Sequence, residues 1–138
     1  MSGKKMCDIN IGDEAEFAKT ITEYDVYGFA GIVGDFNAVH INKEYAKGTI
    51  FKDRIAHGII GAGLISTVIG TYLPGAGTIY LSQSTRFIKT VYICDTITAS
   101  VRVIEKNEEK NKIKLYTKCI NQNSDIVIEG ESIVMPPK

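Results

Sequence analysis

From Ile55 to Leu73 the chain runs nineteen residues without an Asp, Glu, Lys or Arg, and any architecture has to accommodate that stretch. Its length is close to what spans a bilayer. Its content is not: His57, Ser66, Thr67, Thr71 and Tyr72 carry polar atoms, and Gly58, Gly61, Gly63 and Gly70 stand where a membrane span needs aliphatic side chains. The reading that remains is a helix over about Gly58–Leu73, apolar around its circumference because a folded core buries it on all sides. Pro74-Gly75 closes it. Sixteen residues at about 1.5 Å each extend about 24 Å, enough to cross a small domain.

The chain beyond Gly77 supplies something for that helix to pack against. Thr78–Leu81, Thr85–Tyr92, Thr96–Glu105, Lys112–Asn121 and Asp125–Met135 are rich in Ile, Val, Thr, Tyr and Phe, and several of them alternate, as in Ile97/Ala99/Val101/Val103. Asn107–Asn111 and Asn121–Ser124 are turn sequences between them. An antiparallel meander with one apolar face must cover that face, and the Gly58–Leu73 helix is the long apolar element available. The fold expected is therefore α+β, an antiparallel sheet wrapped around a long central helix. Ahead of it, Glu14–Ile21 reads as a strand. Thr22-Glu23-Tyr24-Asp25 resembles a helix cap, with Val26, Phe29, Ala30 and Val33 at helical spacing up to Gly34. Asp35–Asn42 shows no period and reads as an ordered loop, and Lys43–Lys47 reads as a helical turn.

At 138 residues a chain buries roughly two-thirds of its unfolded surface, so one domain over 1–138 needs neither metal nor disulfides to fold. Its 16 Lys and Arg balance 16 Asp and Glu, which removes the long-range attraction that nucleic-acid binders use. Cys7, Cys94 and Cys119 are odd in number and widely spaced, as expected of free thiols in a reducing compartment. The first residues offer no apolar run for a signal peptide, which points to the cytoplasm.

The two histidines, His40 and His57, both precede the long helix. Asp35 and His40 lie in one loop that can fold back and point both at one spot, a pairing suited to proton transfer near neutral pH. The plainer alternative has Asp35 capping backbone amides and His40 at the surface. At His57-Gly58 the long helix opens, and its free amides together with a residue lacking a side chain would let a carbonyl approach, as an oxyanion hole requires. There, too, simple capping and packing is the alternative. Two histidines and no cysteine cluster do not make a metal site, Gly61–Ser66 lacks the strand and acid of a dinucleotide motif, and there is no G-x-S-x-G.

Phe29–His40, with Ala46 six positions on, resembles the hydratase signature of the MaoC-like family, which includes the (R)-specific enoyl-CoA hydratases. The likeness continues through Ala56-His57-Gly58, Leu73–Leu81, Gln83-Ser84 and Phe87, and covers about Tyr24–Val103. The resemblance implies a hot-dog fold, a homodimer and an acyl-CoA thioester substrate, with no metal or redox cofactor beyond the coenzyme A carried by that substrate. It matches Asp35 and His40 to the catalytic pair and Gly58 to the residue whose amide binds the thioester carbonyl. Ser66 matches a further active-site position, Asn37 shapes the loop or orients the water, and His57 falls among the substrate-binding residues. Val33 and Ala38 depart from the family, which commonly has a small hydroxyl residue and a proline there, and Asp53-Arg54 replaces a stretch that often carries proline. The reaction implied is hydration of a trans-2-enoyl-CoA to an (R)-3-hydroxyacyl-CoA, reversibly. A hot-dog acyl-CoA thioesterase and a non-catalytic acyl-thioester binding subunit are the alternatives; acyl chain length and direction stay open.

Overall fold

Alternation along the chain becomes alternation across a sheet. In the computed structural model, which describes residues 2–138, the strands are β1 (Glu14–Thr20), β2 (Ile79–Phe87), β3 (Thr96–Asn107), β4 (Lys112–Ile120) and β5 (Ile126–Met135). They form one antiparallel sheet in the order β1-β3-β4-β5-β2. Every second residue of β4 is buried, from Ile113 through Leu115 and Thr117 to Cys119. The register puts Val101 of β3 opposite Thr117 and Leu115 opposite Ser132 of β5, so one continuous face turns inward.

The helices are α1 (Glu23–Val33), α2 (Ala38–Ile41), α3 (Lys43–Lys47) and α4 (Ile59–Thr71). The N-terminus of α1 is a capping box: the Asp25 amide donates to Thr22 Oγ1, and the Thr22 amide donates to Asp25 Oδ2 at 2.8 Å. Gly34 ends α1 in the left-handed region, which glycine enters without steric penalty. The long helix α4 lies across β3 with β1 and β4 on either side, burying Gly61, Leu64, Ile65, Val68 and Ile69. Gly61 sits so close to the sheet that a Cβ there would fall 2.3 Å from Ile128 Cδ1. This is the α+β hot-dog arrangement expected from the sequence.

Several expectations change. The long helix is not buried on all sides: Ile59, Gly63, Ser66 and Gly70 face outward, because the sheet of one chain covers only one side of it. Thr78–Leu81 and Thr85–Tyr92 are not two strands but one, β2, which stops at Phe87; the Ile88 and Lys89 amides still donate to the Val127 carbonyl, after which the chain leaves the sheet and the Val91 carbonyl accepts from the Ala56 amide. The supposed loop Asp35–Asn42 contains the turn of helix α2, because Asn37 caps it by accepting from the Val39 amide. Val33, placed by its spacing on the inner face of α1, is half exposed at the helix end.

Candidate active site

Four residues from two parts of the chain meet at one cavity. Asp35, His40, His57 and Gly58 line a space of about 450 Å³, walled by Phe51, Ile55, Phe87 and the segment Ile88–Val91. The walls are largely apolar with a few polar groups, the usual make-up of a small-molecule site.

His40 is buried, not a surface residue, and its orientation is set by the backbone. Its Nδ1 lies 2.8 Å from the carbonyl oxygen of Ile55, which can only accept. Nδ1 therefore carries the proton, and in the neutral ring Nε2 presents its lone pair. Nε2 makes no protein hydrogen bond among the described residues and is the edge left for the cavity.

Asp35 is exposed at the cavity rim. Its Oδ1 accepts from the Asn37 amide at 3.2 Å, so the capping reading of this carboxylate holds alongside its place in the cavity. Its Oδ2 lies 3.9 Å from His57 Nε2. Asn37 also acts on the backbone, as the cap of α2. The short helix it starts carries His40 inward.

His57 is 3% exposed and packs against its neighbours. Its ring stacks on that of His40, with centroids 3.8 Å apart and planes 27° apart, and meets Phe29 at 4.9 Å. Its Nε2 donates to the Asp35 backbone carbonyl at 3.0 Å. Gly58 is the next residue and caps α4. The amides of Gly58 and Ile59 make no backbone hydrogen bond among the described residues, so they remain donors at the positive end of a thirteen-residue helix. A side chain at Gly58 would strike the Phe87 ring, with a Cβ 2.7 Å from Cδ1. Ser66 does not join this group in a single chain: it is exposed on α4, about 12 Å along the axis from Gly58.

Asp35, His40 and His57 place ligand atoms within 4.8 Å of one another, a spacing at which a metal ion is conceivable. Coordination through His57 Nε2 would require it to release the Asp35 carbonyl, and stacked imidazoles do not aim their lone pairs at a common point. What the cavity offers is a carboxylate and an imidazole nitrogen beside free helix amides, a set suited to moving protons next to a carbonyl that gains negative charge.

Some contributors escaped the sequence reading. The Ile55 carbonyl holds His40 through the backbone and leaves no signature in side-chain identity. The wall Ile88–Val91 was hidden because its β-rich composition reads as strand. Arg54, which stands where the family often has proline nearby, folds back on α1: its guanidinium lies 2.5 Å from Glu23 and donates to the Tyr27 hydroxyl. These contacts draw Glu23 below the usual carboxylate range.

Comparison with known proteins identifies the family. Residues 8–123 match the family described as MaoC like domain. An (R)-specific enoyl-CoA hydratase of Rhodospirillum rubrum is 49% identical over 130 residues, covering 94% of this chain and 90% of the relative. A 3-hydroxybutyryl-CoA dehydratase of Methylorubrum extorquens is 40% identical, covering 95% and 83%. Among solved structures, an unliganded R-hydratase of Pseudomonas aeruginosa superposes with a TM-score of 0.94 at 40% identity, over 99% of this chain and 87% of the other. The chain belongs to the MaoC-like domain family.

Proposed function

We propose that this protein is an (R)-specific enoyl-CoA hydratase, a hydro-lyase that adds water across a trans-2-enoyl-CoA and catalyses the reverse dehydration. The observation that carries the reading is one cavity holding the Asp35 carboxylate, the free Nε2 edge of His40 and the unbonded amide of Gly58. Relatives bearing hydratase and dehydratase names support it across nearly the whole chain. A water held between Asp35 and His40 attacks C3 of the enoyl thioester. The pair takes one proton from that water and returns one to C2, so a single water is added and nothing is oxidised or reduced. Charge that grows on the thioester oxygen is met by the Gly58 amide and the helix end behind it, donors already in place before the reaction. The chemistry asks for no metal or redox cofactor, and coenzyme A arrives with the substrate.

The same proposal includes the whole chain, 1–138, as one hydratase domain acting as a homodimer in the cytoplasm. Ile79, Leu81 and Phe87 along β2 and Ile88 just beyond it are exposed on the edge strand, whose outer side pairs with nothing among the described residues. An exposed apolar edge is a site for pairing with another chain. Ser66 shares the outer face of α4 with Gly63 and Gly70, so its part in the site depends on that second copy. Three free cysteines fit a reducing compartment, and among the described residues no helix is long and apolar enough to cross a membrane.

The test is loss of the conjugated thioester absorbance with crotonyl-CoA and its longer homologues, with chiral analysis of the product. Turnover to the (R) alcohol is expected. Thiol release from saturated acyl-CoA without hydration would instead make the protein a thioesterase, and binding without turnover would make it a carrier subunit.

A further inference from the structure

We propose that His57 is the positioning residue of this site, the side chain that grips both halves of the Asp35–His40 pair and sets the distance between them; the proposal rests on the hydratase reading above. Its ring supports His40 through the 3.8 Å stack, and its Nε2–H holds the backbone carbonyl of Asp35. One buried imidazole thus touches the helix that carries His40 and the loop that carries Asp35. Because Gly58 is the next residue, the same anchor ties the helix amides to the pair.

The other ring nitrogen shows that filling space is not the whole role. His57 Nδ1 is buried without a hydrogen-bond partner among the described residues. An aromatic ring without nitrogens would also fill the space against Phe29 and His40 and would strand no polar atom. The imidazole is worth having there because of what its Nε2 holds. Its burial also leaves it little to offer a ligand: at 3% exposure, with Nε2 committed to Asp35, it acts through its neighbours.

Three variants separate the two grips. His57→Phe keeps the stacking face and removes the N–H, His57→Gln keeps an N–H near the Nε2 position and removes the face, and His57→Ala removes both. With crotonyl-CoA, kcat is expected to fall about 100-fold in the alanine variant and about tenfold in each of the others, the scale on which small misplacements act, with KM held within about threefold. A folded alanine variant with wild-type kcat overturns the proposal, as does a loss confined to KM. If the alanine protein does not fold, wild-type kcat in both the phenylalanine and glutamine variants overturns it.

A second readout does not depend on turnover. The chain has two histidines, so in each variant the nitrogen spectrum of the remaining imidazole belongs to His40 alone. Wild type should show His40 as a single Nδ1–H tautomer, and the glutamine and alanine variants should show averaging between tautomers as the ring loses its support. A tautomer unchanged in all three variants overturns the proposal. Wild-type protein that hydrates no enoyl thioester would sink the hydratase reading, while the His40 spectra would still decide whether His57 holds the ring.

Discussion

Leu64, Ile65, Val68 and Ile69 of α4 and Ile97, Ala99, Val101, Ile113 and Leu115 of the sheet are all buried, and apolar burial, joined by the Cys119 thiol donating to the Gly61 carbonyl at 3.5 Å, fastens the long helix to the strands. The stretch from Gly34 to Gly58 is fastened differently. It buries few large apolar side chains and is held by directed contacts: Asn37 on the Val39 amide, Asn42 on the Tyr45 amide, His40 on the Ile55 carbonyl, His57 on the Asp35 carbonyl. The first region gets its stability from area, at roughly 1.5–3 kcal/mol for each fully buried large aliphatic side chain. The second gets its geometry from bonds that each contribute only about 1 kcal/mol net but fix direction. The proposed chemistry sits in the second region because proton transfer demands aim, and burial supplies none.

If the division is real, variants on its two sides should fail in different ways. The largest effect belongs to the pair itself. Asp35→Asn or His40→Ala should lower kcat by about 10³-fold or more, the first with the melting temperature near wild type and the second with a loss of about 1–3 kcal/mol because the Ile55 carbonyl loses its partner. Activity within tenfold of wild type in either would break the comparison at its functional end. Next comes Leu115→Ala, which removes a fully buried side chain of the sheet's inner face. It should cost about 2–5 kcal/mol in denaturant unfolding and leave the kcat of the folded fraction unchanged.

Two glycines at α4 sharpen the contrast. Gly61→Ala meets Ile128 in the core and should cost about 1–3 kcal/mol by overpacking. Gly58→Ala meets only the ring end of the Phe87 side chain, at the cavity wall and outside the core, so its main loss should be in turnover. Equal melting losses for the two would argue that no such boundary exists.

The smallest effect is at the capping box of α1. Thr22→Ala should cost about 1 kcal/mol. Burial pushes the Asp25 carboxyl up, but bonds from the Thr22 amide and hydroxyl and the Lys19 ammonium outweigh it and hold it below its ordinary value of 3.8. A depressed carboxyl stabilises the fold fully above that ordinary value, and the contribution disappears as pH falls through the lower folded-state value. Melting followed downward from pH 5 should show Asp25→Asn losing less stability to acid than wild type.

How far each region could be read from residues tracks the same division. β3 and β4 were legible because alternation is written every second residue, and α1 because Thr22 and Asp25 sit three apart. The Asp35–His40 pairing was legible mainly through the family motif around it, since its spacing alone left surface capping open. The stack of His40 on His57 was not legible at all: those rings are seventeen positions apart, and nothing local brings them together. The Ile88–Val91 wall was misread because its composition favours strand while its partner, Ala56, lies far back in the chain.

The order of residues by itself determined most of the element types, though not α2 or the course of Ile88–Val91, together with the caps of the longer elements, the packing of a β3-β4-β5 meander on one apolar helix, and which side chains carry reactive groups. These depend on neighbours a few positions away, so the pattern states them. Folding in three dimensions decided which face of α4 meets the sheet, which carbonyl receives the His40 proton, and that His57 lies between an acid and an imidazole. Those outcomes depend on contacts between segments that share no local period, where packing of the whole core sets distances to fractions of an ångström.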